Sequence, residues 1–169
     1  MASFKIKKYL TADEFSNALK NISDPHDYLL FYTLWELALR INECLSIRVE
    51  HINWKDGMIK IYREKTQQER PLPMTPDHAR LLRIYTADKK SGLIFKKKSR
   101  QAYNLSMKYF GIKPHGIRHS RAIYLVTHGV PIETIRRLLG HSRLDVTQIY
   151  LDYDYQTMRK DLTSGLVIV

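Results

Sequence analysis

The side chains best suited to chemistry in this sequence fall into four separated segments. They are Ala38-Leu-Arg40-Ile-Asn-Glu43, Lys65-Thr-Gln-Gln-Glu-Arg70-Pro-Leu-Pro73, His115-Gly-Ile-Arg118-His119, and Leu139-Gly-His141 followed nine residues later by Tyr150. Arginine carries a planar, permanently charged fork that matches two phosphate oxygens. A phenol with a pKa of about 10 is a weak nucleophile near neutrality and needs a base or a strongly positive setting. Lysine and histidine can give or take the protons such a reaction moves. These types together suit phosphoryl transfer, in which positioning and cationic donors dominate because charge spreads over the non-bridging oxygens.

Each residue also has an ordinary reading. Arg40 alone is a cation at a helix end, Lys65 a solvated lysine on a turn, and Glu43 the partner of a local cation. His141 after a glycine reads as part of a helix cap. Tyr150 is one of eleven tyrosines, with Tyr153 and Tyr155 close behind, and tyrosines are commonly half-buried packing residues. His115 and His119 lie at i and i+4 and would share a helix face, as a metal-binding pair does. The HExxH pattern, a cysteine cluster and a clear third ligand are all missing, so no metal and no other cofactor is expected.

The overall charge supports a polyanionic partner. Lys plus Arg is 28 against 17 for Asp plus Glu, a formal net charge of +11 with pI near 9.7. Each phosphate neutralised by such cations releases condensed counterions. The basic residues are dispersed, with one run at Lys96-Lys97-Lys98-Ser99-Arg100 that reads equally as a solvated face or as phosphate contacts. Lys96, Lys97, Lys98, Arg100, Arg121 and Arg143 are the candidate contacts to the phosphates of such a partner. Cys44 is the only cysteine, which rules out an internal disulfide and suits a reducing compartment. No stretch is long and apolar enough for a membrane span, and the N-terminus lacks a secretory signal pattern, so a cytoplasmic protein without membrane contact is expected.

Helices must do most of the positioning. Thr11-Ala-Asp-Glu14 is a capping box ahead of Phe15, Ala18, Leu19 and Ile22. Asp24-Pro25 opens a second helix whose apolar positions continue to about Ser46, with a break near Leu39–Arg40. Val49–Trp54 and Met58–Tyr62 flank Lys55-Asp56-Gly57 as a β-hairpin, and Arg70–Pro73 reads as a third, edge strand. Thr75-Pro76 starts a helix running to about Ala87. Further helices are expected at 99–110, 114–128, 131–139 and 144–151, three of them closed by Gly111, Gly129 and Gly140. The class is therefore α+β, mainly α-helical, with a small antiparallel sheet.

In order, spacing and neighbours, the four segments together resemble the tyrosine recombinases, the phage-integrase family, over roughly residues 10–155. The resemblance implies the catalytic core of that family, with residues 1–9 as an N-terminal arm and 156–169 as a tail. It assigns Arg40 and Arg118 to the two family arginines, Glu43 to the supporting acidic position, and Lys65 to the lysine on the strand turn. His115 falls on the His-x-x-Arg histidine, His141 on the His or Trp after Leu-Gly, and Tyr150 on the nucleophile, an interval neither neighbouring tyrosine fits. The implied reaction cleaves and rejoins double-stranded DNA through a 3′-phosphotyrosine, without metal or ATP. His115 is the candidate base and Lys65 the candidate acid. A free monomer that forms a homotetramer on paired sites is also implied, with residues 152–169 docking on a neighbour. One departure stands out: Ala38 occupies a position where the family usually has glycine, and alanine resists left-handed angles. The family's N-terminal DNA-clamping domain is expected to be missing from this chain.

Two rival readings use the same residues. A type IB topoisomerase shares the phosphotyrosine chemistry without exchanging strands. A DNA-binding module without catalysis would use Ile132–His141 and Asp145–Tyr150 as a helix-turn-helix, which leaves the placement of Arg40, Lys65, His115 and Arg118 unexplained.

Overall fold

A computed structural model of the chain describes residues 9–63 and 68–140. The helix expected at 144–151, the turn at 64–67 and the C-terminal tail lie outside the described residues.

Helix α1 (Ala12–Lys20) starts on the expected capping box: Thr11 Oγ1 accepts from Glu14 N, and Glu14 Oε2 accepts from Thr11 N. Helix α2 (Pro25–Glu36) is capped by Asp24, whose carboxylate takes the amides of His26 and Asp27. The expected break falls slightly earlier than Leu39–Arg40. Ala38 N donates to Trp35 O and Leu39 N to Leu34 O, the paired bonds of a Schellman ending, with Ala38 in the left-handed position at φ 47°. The chain then restarts as the short helix α3 (Ile41–Leu45).

Strands β1 (Ile52–Asn53), β2 (Met58–Arg63) and β3 (Gln68–Pro73) form one antiparallel sheet in that order, so the two prolines of β3 sit on an edge strand as expected. The first expected strand is shorter than its sequence pattern. Val49–His51 is a 3-10 turn, because Val49 N bonds to Gly92 O and Arg48 N to His51 Nδ1 instead of to the sheet. Helices α4 (Pro76–Tyr85), α5 (Ser99–Phe110), α6 (Pro114–Thr127) and α7 (Ile132–Leu139) follow the expected order.

The main core lies between the helices and the inward face of the sheet. Phe15 stacks on Trp35 at 4.2 Å and on Phe110 at 5.1 Å, and Ile59, Ile61 and Leu72 seal it from the sheet side. A second, smaller cluster joins Ala38 to Ala122, Ile123, Val126, Ile135 and Leu139, fixing α7 against α6 and the end of α2. Among the described residues, Arg118 is the largest of the fully buried side chains.

One buried polar pair ties α2 to α4. His78 is wholly enclosed, and its Nε2 lies 2.9 Å from Thr33 Oγ1. Burial pushes its pKa down to about 4, so the folded chain refuses a proton that the unfolded chain takes up near pH 6.5. The resulting stability is fully present above pH 6.5 and is lost as pH falls from there to about 4. It amounts to about 3 kcal/mol. The melting temperature should drop across that window, with a shallower slope in His78→Gln; an unaltered slope would contradict the assignment.

Candidate DNA-cleavage site

The site is organised around a buried carboxylate. Glu43 stands at the third position of α3 and reaches back to accept the Arg40 amide at 2.9 Å, so α3 begins where its own acid closes the first turn. Three guanidinium groups surround that carboxylate. Arg40 Nη1 donates to Oε1 at 3.2 Å, and Arg70 donates from both ends of its fork, Nη1 to Oε1 at 3.1 Å and Nη2 to Oε2 at 3.2 Å. Arg118 Nη1 lies 3.6 Å from Oε2. Burial opposes ionisation of Glu43, but bonds from Arg70 and from the Arg40 amide, with the charges of Arg70 and Arg118, hold its pKa below the usual range.

The three arginines differ in exposure. The side chain of Arg40 is 35% exposed, that of Arg70 16% and that of Arg118 1%. Arg40 is therefore the cation that opens most to solvent. Arg118 donates Nη1 to Ala38 O at 2.8 Å and Nη2 to Leu139 O at 2.7 Å. Both carbonyls lie at helix C-termini, where backbone acceptors lack intrahelical partners and carry partial negative charge. The left-handed Ala38 is thus the residue that turns the end of α2 towards Arg118. The alanine methyl is itself buried in the second cluster, which offsets part of the roughly 1–2 kcal/mol strain of that backbone angle.

His115 sits in the first turn of α6, one turn before Arg118, and is exposed. Desolvation lowers its pKa most, followed by the charges of Arg118 and Arg40. These causes favour its neutral form, the one able to accept a proton.

The end of α7 closes the site. Gly140 is left-handed at φ 63°, and a Cβ there would lie 2.7 Å from Arg70 Nη1. Arg63, on β2, donates Nη1 to Gly140 O at 3.1 Å. Arg63, Arg70 and Arg118 therefore converge on the last turn of the helix that leads into His141.

Of the residues expected from sequence, Arg40, Glu43, His115 and Arg118 come together here. Lys65, His141, Tyr150 and Arg143 lie outside the described residues. The expected basic contacts divide. Lys96, Lys98 and Arg100 are exposed, whereas Lys97 Nζ pairs with buried Asp27 Oδ1 at 2.9 Å. Arg121 lies over Trp35 and Tyr124, 3.9 Å from Glu36 Oε1. Among the described residues, Asp24, His26 and Asp27 are the group whose donor atoms cluster closely enough for a metal, and the Lys97 ammonium already supplies a cation there.

Arg70 and Arg63 were not anticipated as site residues. A signal for Arg70 existed: it is in phase with Leu72, and its cross-strand partner is buried Ile61, so it is an arginine on the inward face of its strand. Inward charges require a partner.

Comparison with known proteins decides the family. The profile described as "Phage integrase family" matches residues 8–157. This chain belongs to the phage integrase family. A tyrosine recombinase of Pseudothermotoga lettingae is 32% identical over 162 residues, covering 87% of this chain and 57% of that protein, so the chain spans little more than half of that relative's length. The catalytic domain of bacteriophage HP1 integrase shares the fold with a TM-score of 0.72 at 17% identity, covering 94% of this chain and 95% of that one. So does the XerH site-specific recombinase bound to a palindromic difH substrate in a post-cleavage complex, with a TM-score of 0.77 at 19% identity, covering 96% and 54%. The integrase fold thus accounts for the helical layers and the small sheet around Glu43. Among the described residues no helix is long and apolar enough to cross a membrane.

Breaking a buried ion pair from one side typically costs about 3–5 kcal/mol, because the opposite charge is left uncompensated. Glu43→Ala should therefore lose stability of that order in urea unfolding. Arg40→Ala, at the open edge of the cluster, should lose much less. Equal losses would show that the carboxylate is not the hub.

Proposed function

We propose that this chain is the catalytic domain of a site-specific DNA recombinase that cleaves and rejoins double-stranded DNA through a 3′-phosphotyrosine. The observation that carries this reading is the convergence of Arg40 and Arg118 on the Glu43 carboxylate, with His115 close enough for both their charges to act on it.

In the proposed step the Tyr150 hydroxyl oxygen attacks the scissile phosphorus while its proton passes to His115. The bond from phosphorus to the 5′ oxygen breaks, and the leaving oxygen takes a proton from Lys65. Arg40 and His141 hold the non-bridging oxygens as their charge grows, and the enclosed Arg118 adds positive charge from behind Glu43. A new 5′-hydroxyl attacks the phosphotyrosine and reverses each transfer. The phosphoester bond is exchanged rather than hydrolysed, so no nucleotide is consumed, and the guanidinium groups supply the positive charge that a metal ion provides elsewhere. Lys96, Lys98 and Arg100 contact the DNA backbone outside the cleavage centre. The protomer is monomeric when free and assembles as a homotetramer on paired sites, with residues 152–169 docking on a neighbour.

Incubation with duplexes randomised around a central nick, followed by denaturing electrophoresis and sequencing, tests the chemistry. An adduct resistant to denaturation should form equally well in EDTA and vanish in Tyr150→Phe. A wild-type chain that binds these duplexes but never forms the adduct is a binding module, and the proposal fails.

The base has its own signature. His115 must be neutral to accept a proton, so the cleavage rate should fall as pH drops through its pKa, which lies below 6.5. His115→Gln should slow cleavage on the order of 10²–10⁴-fold and lose that acid limb. Retention of the limb would place the base elsewhere.

A further inference from the structure

Arg70, like Arg118, is committed inside the fold, but to the carboxylate that also holds Arg40. Its fork is taken up by both oxygens of Glu43. The same guanidinium lies under Gly140 so closely that a Cβ there would meet Nη1 at 2.7 Å, the central carbon at 3.0 Å and Nε at 3.2 Å. It is carried by β3, in cross-strand register with Ile61, and Arg63 of β2 holds the Gly140 carbonyl from the same sheet. Glu43 in turn grips both the backbone amide and the side chain of Arg40 and lies beside Arg118. A side chain in this arrangement presents little of its guanidinium to a ligand.

The geometry points to Arg70 as a positioning residue for DNA cleavage. It holds Glu43, and through it the more open Arg40, in fixed relation to the enclosed Arg118 and the end of α7, without touching the phosphate itself. This rests on the proposed recombinase chemistry and adds a residue to it. A bidentate pair fixes a carboxylate in both direction and tilt, and small displacements of transition-state donors slow reactions sharply. A lysine at position 70 would keep the charge but lose the fork. Gly140 belongs to the same contact, since any larger residue would have to displace Arg70 as well as adopt a left-handed angle.

The test separates positioning from DNA contact. Affinity for a generic duplex is measured against salt concentration, and adduct formation is followed on the nicked duplex captured with the wild-type chain. A cation that neutralises a phosphate contributes about 0.9 to the slope of log affinity against log salt. Arg70→Met should leave that slope unchanged and slow cleavage on the order of ten- to a hundredfold. The double variant Arg70→Met, Glu43→Gln should be no more than about twofold slower than Glu43→Gln alone, since both act through one carboxylate. Arg70→Lys, which keeps a cation against Glu43 and guards against a folding defect, should give an intermediate rate with a near wild-type melting temperature. A slope reduced by about one, additive losses, or an unchanged cleavage rate overturns the assignment. If the wild-type chain forms no adduct, the recombinase reading fails and takes this inference with it; an adduct at wild-type rate in Arg70→Met sinks this inference alone.

Discussion

A single ionised carboxylate in a nearly closed setting governs this structure. Glu43 would be costly to bury alone, and three arginines packed together would repel one another. Each problem solves the other. The carboxylate lets Arg40, Arg70 and Arg118 approach one small volume, and their charges keep it ionised. The cluster carries more positive than negative charge, which is the electrostatic setting a phosphodiester would meet. The partners come from α3, β3 and α6, so the sheet and two helices must all be in place before the charge balance closes.

The remaining architecture brings polar backbone to this cluster. The Schellman ending of α2 and the last turn of α7 both aim carbonyls at Arg118. The two helix ends are bound by one side chain, and the small apolar cluster of Ala38, Ala122, Ile135 and Leu139 packs beside it.

Much of this was legible in the sequence because the signals were local. Caps at Thr11 and Asp24, prolines at helix starts, and glycines after helix ends mark boundaries within a few residues of where they fall. Arg40, Glu43, His115 and Arg118 were legible through the family resemblance, which also flagged the unusual alanine at position 38 that adopts φ 47°. What escaped was non-local. Arg63 and Arg70 gain their meaning from contacts with Gly140 and Glu43, far away in the chain. Lys97 and Arg121 read as candidate DNA-backbone contacts, and in the fold Asp27 pairs with the first while Trp35 and Tyr124 lie against the second. A count of charges does not reveal which are already neutralised inside the fold. The shortened first strand escaped for the same reason, since Gly92 claims the amide of Val49.

The enclosure of Arg118 makes the two members of the arginine pair unequal in what their loss would cost the fold. Arg40 stands at the rim, and its removal would leave both helix ends where they are. Arg118 joins two helix termini from the inside, so its removal would orphan two backbone carbonyls at once. A variant that keeps Arg118 keeps the frame, whatever has become of its exposed counterpart.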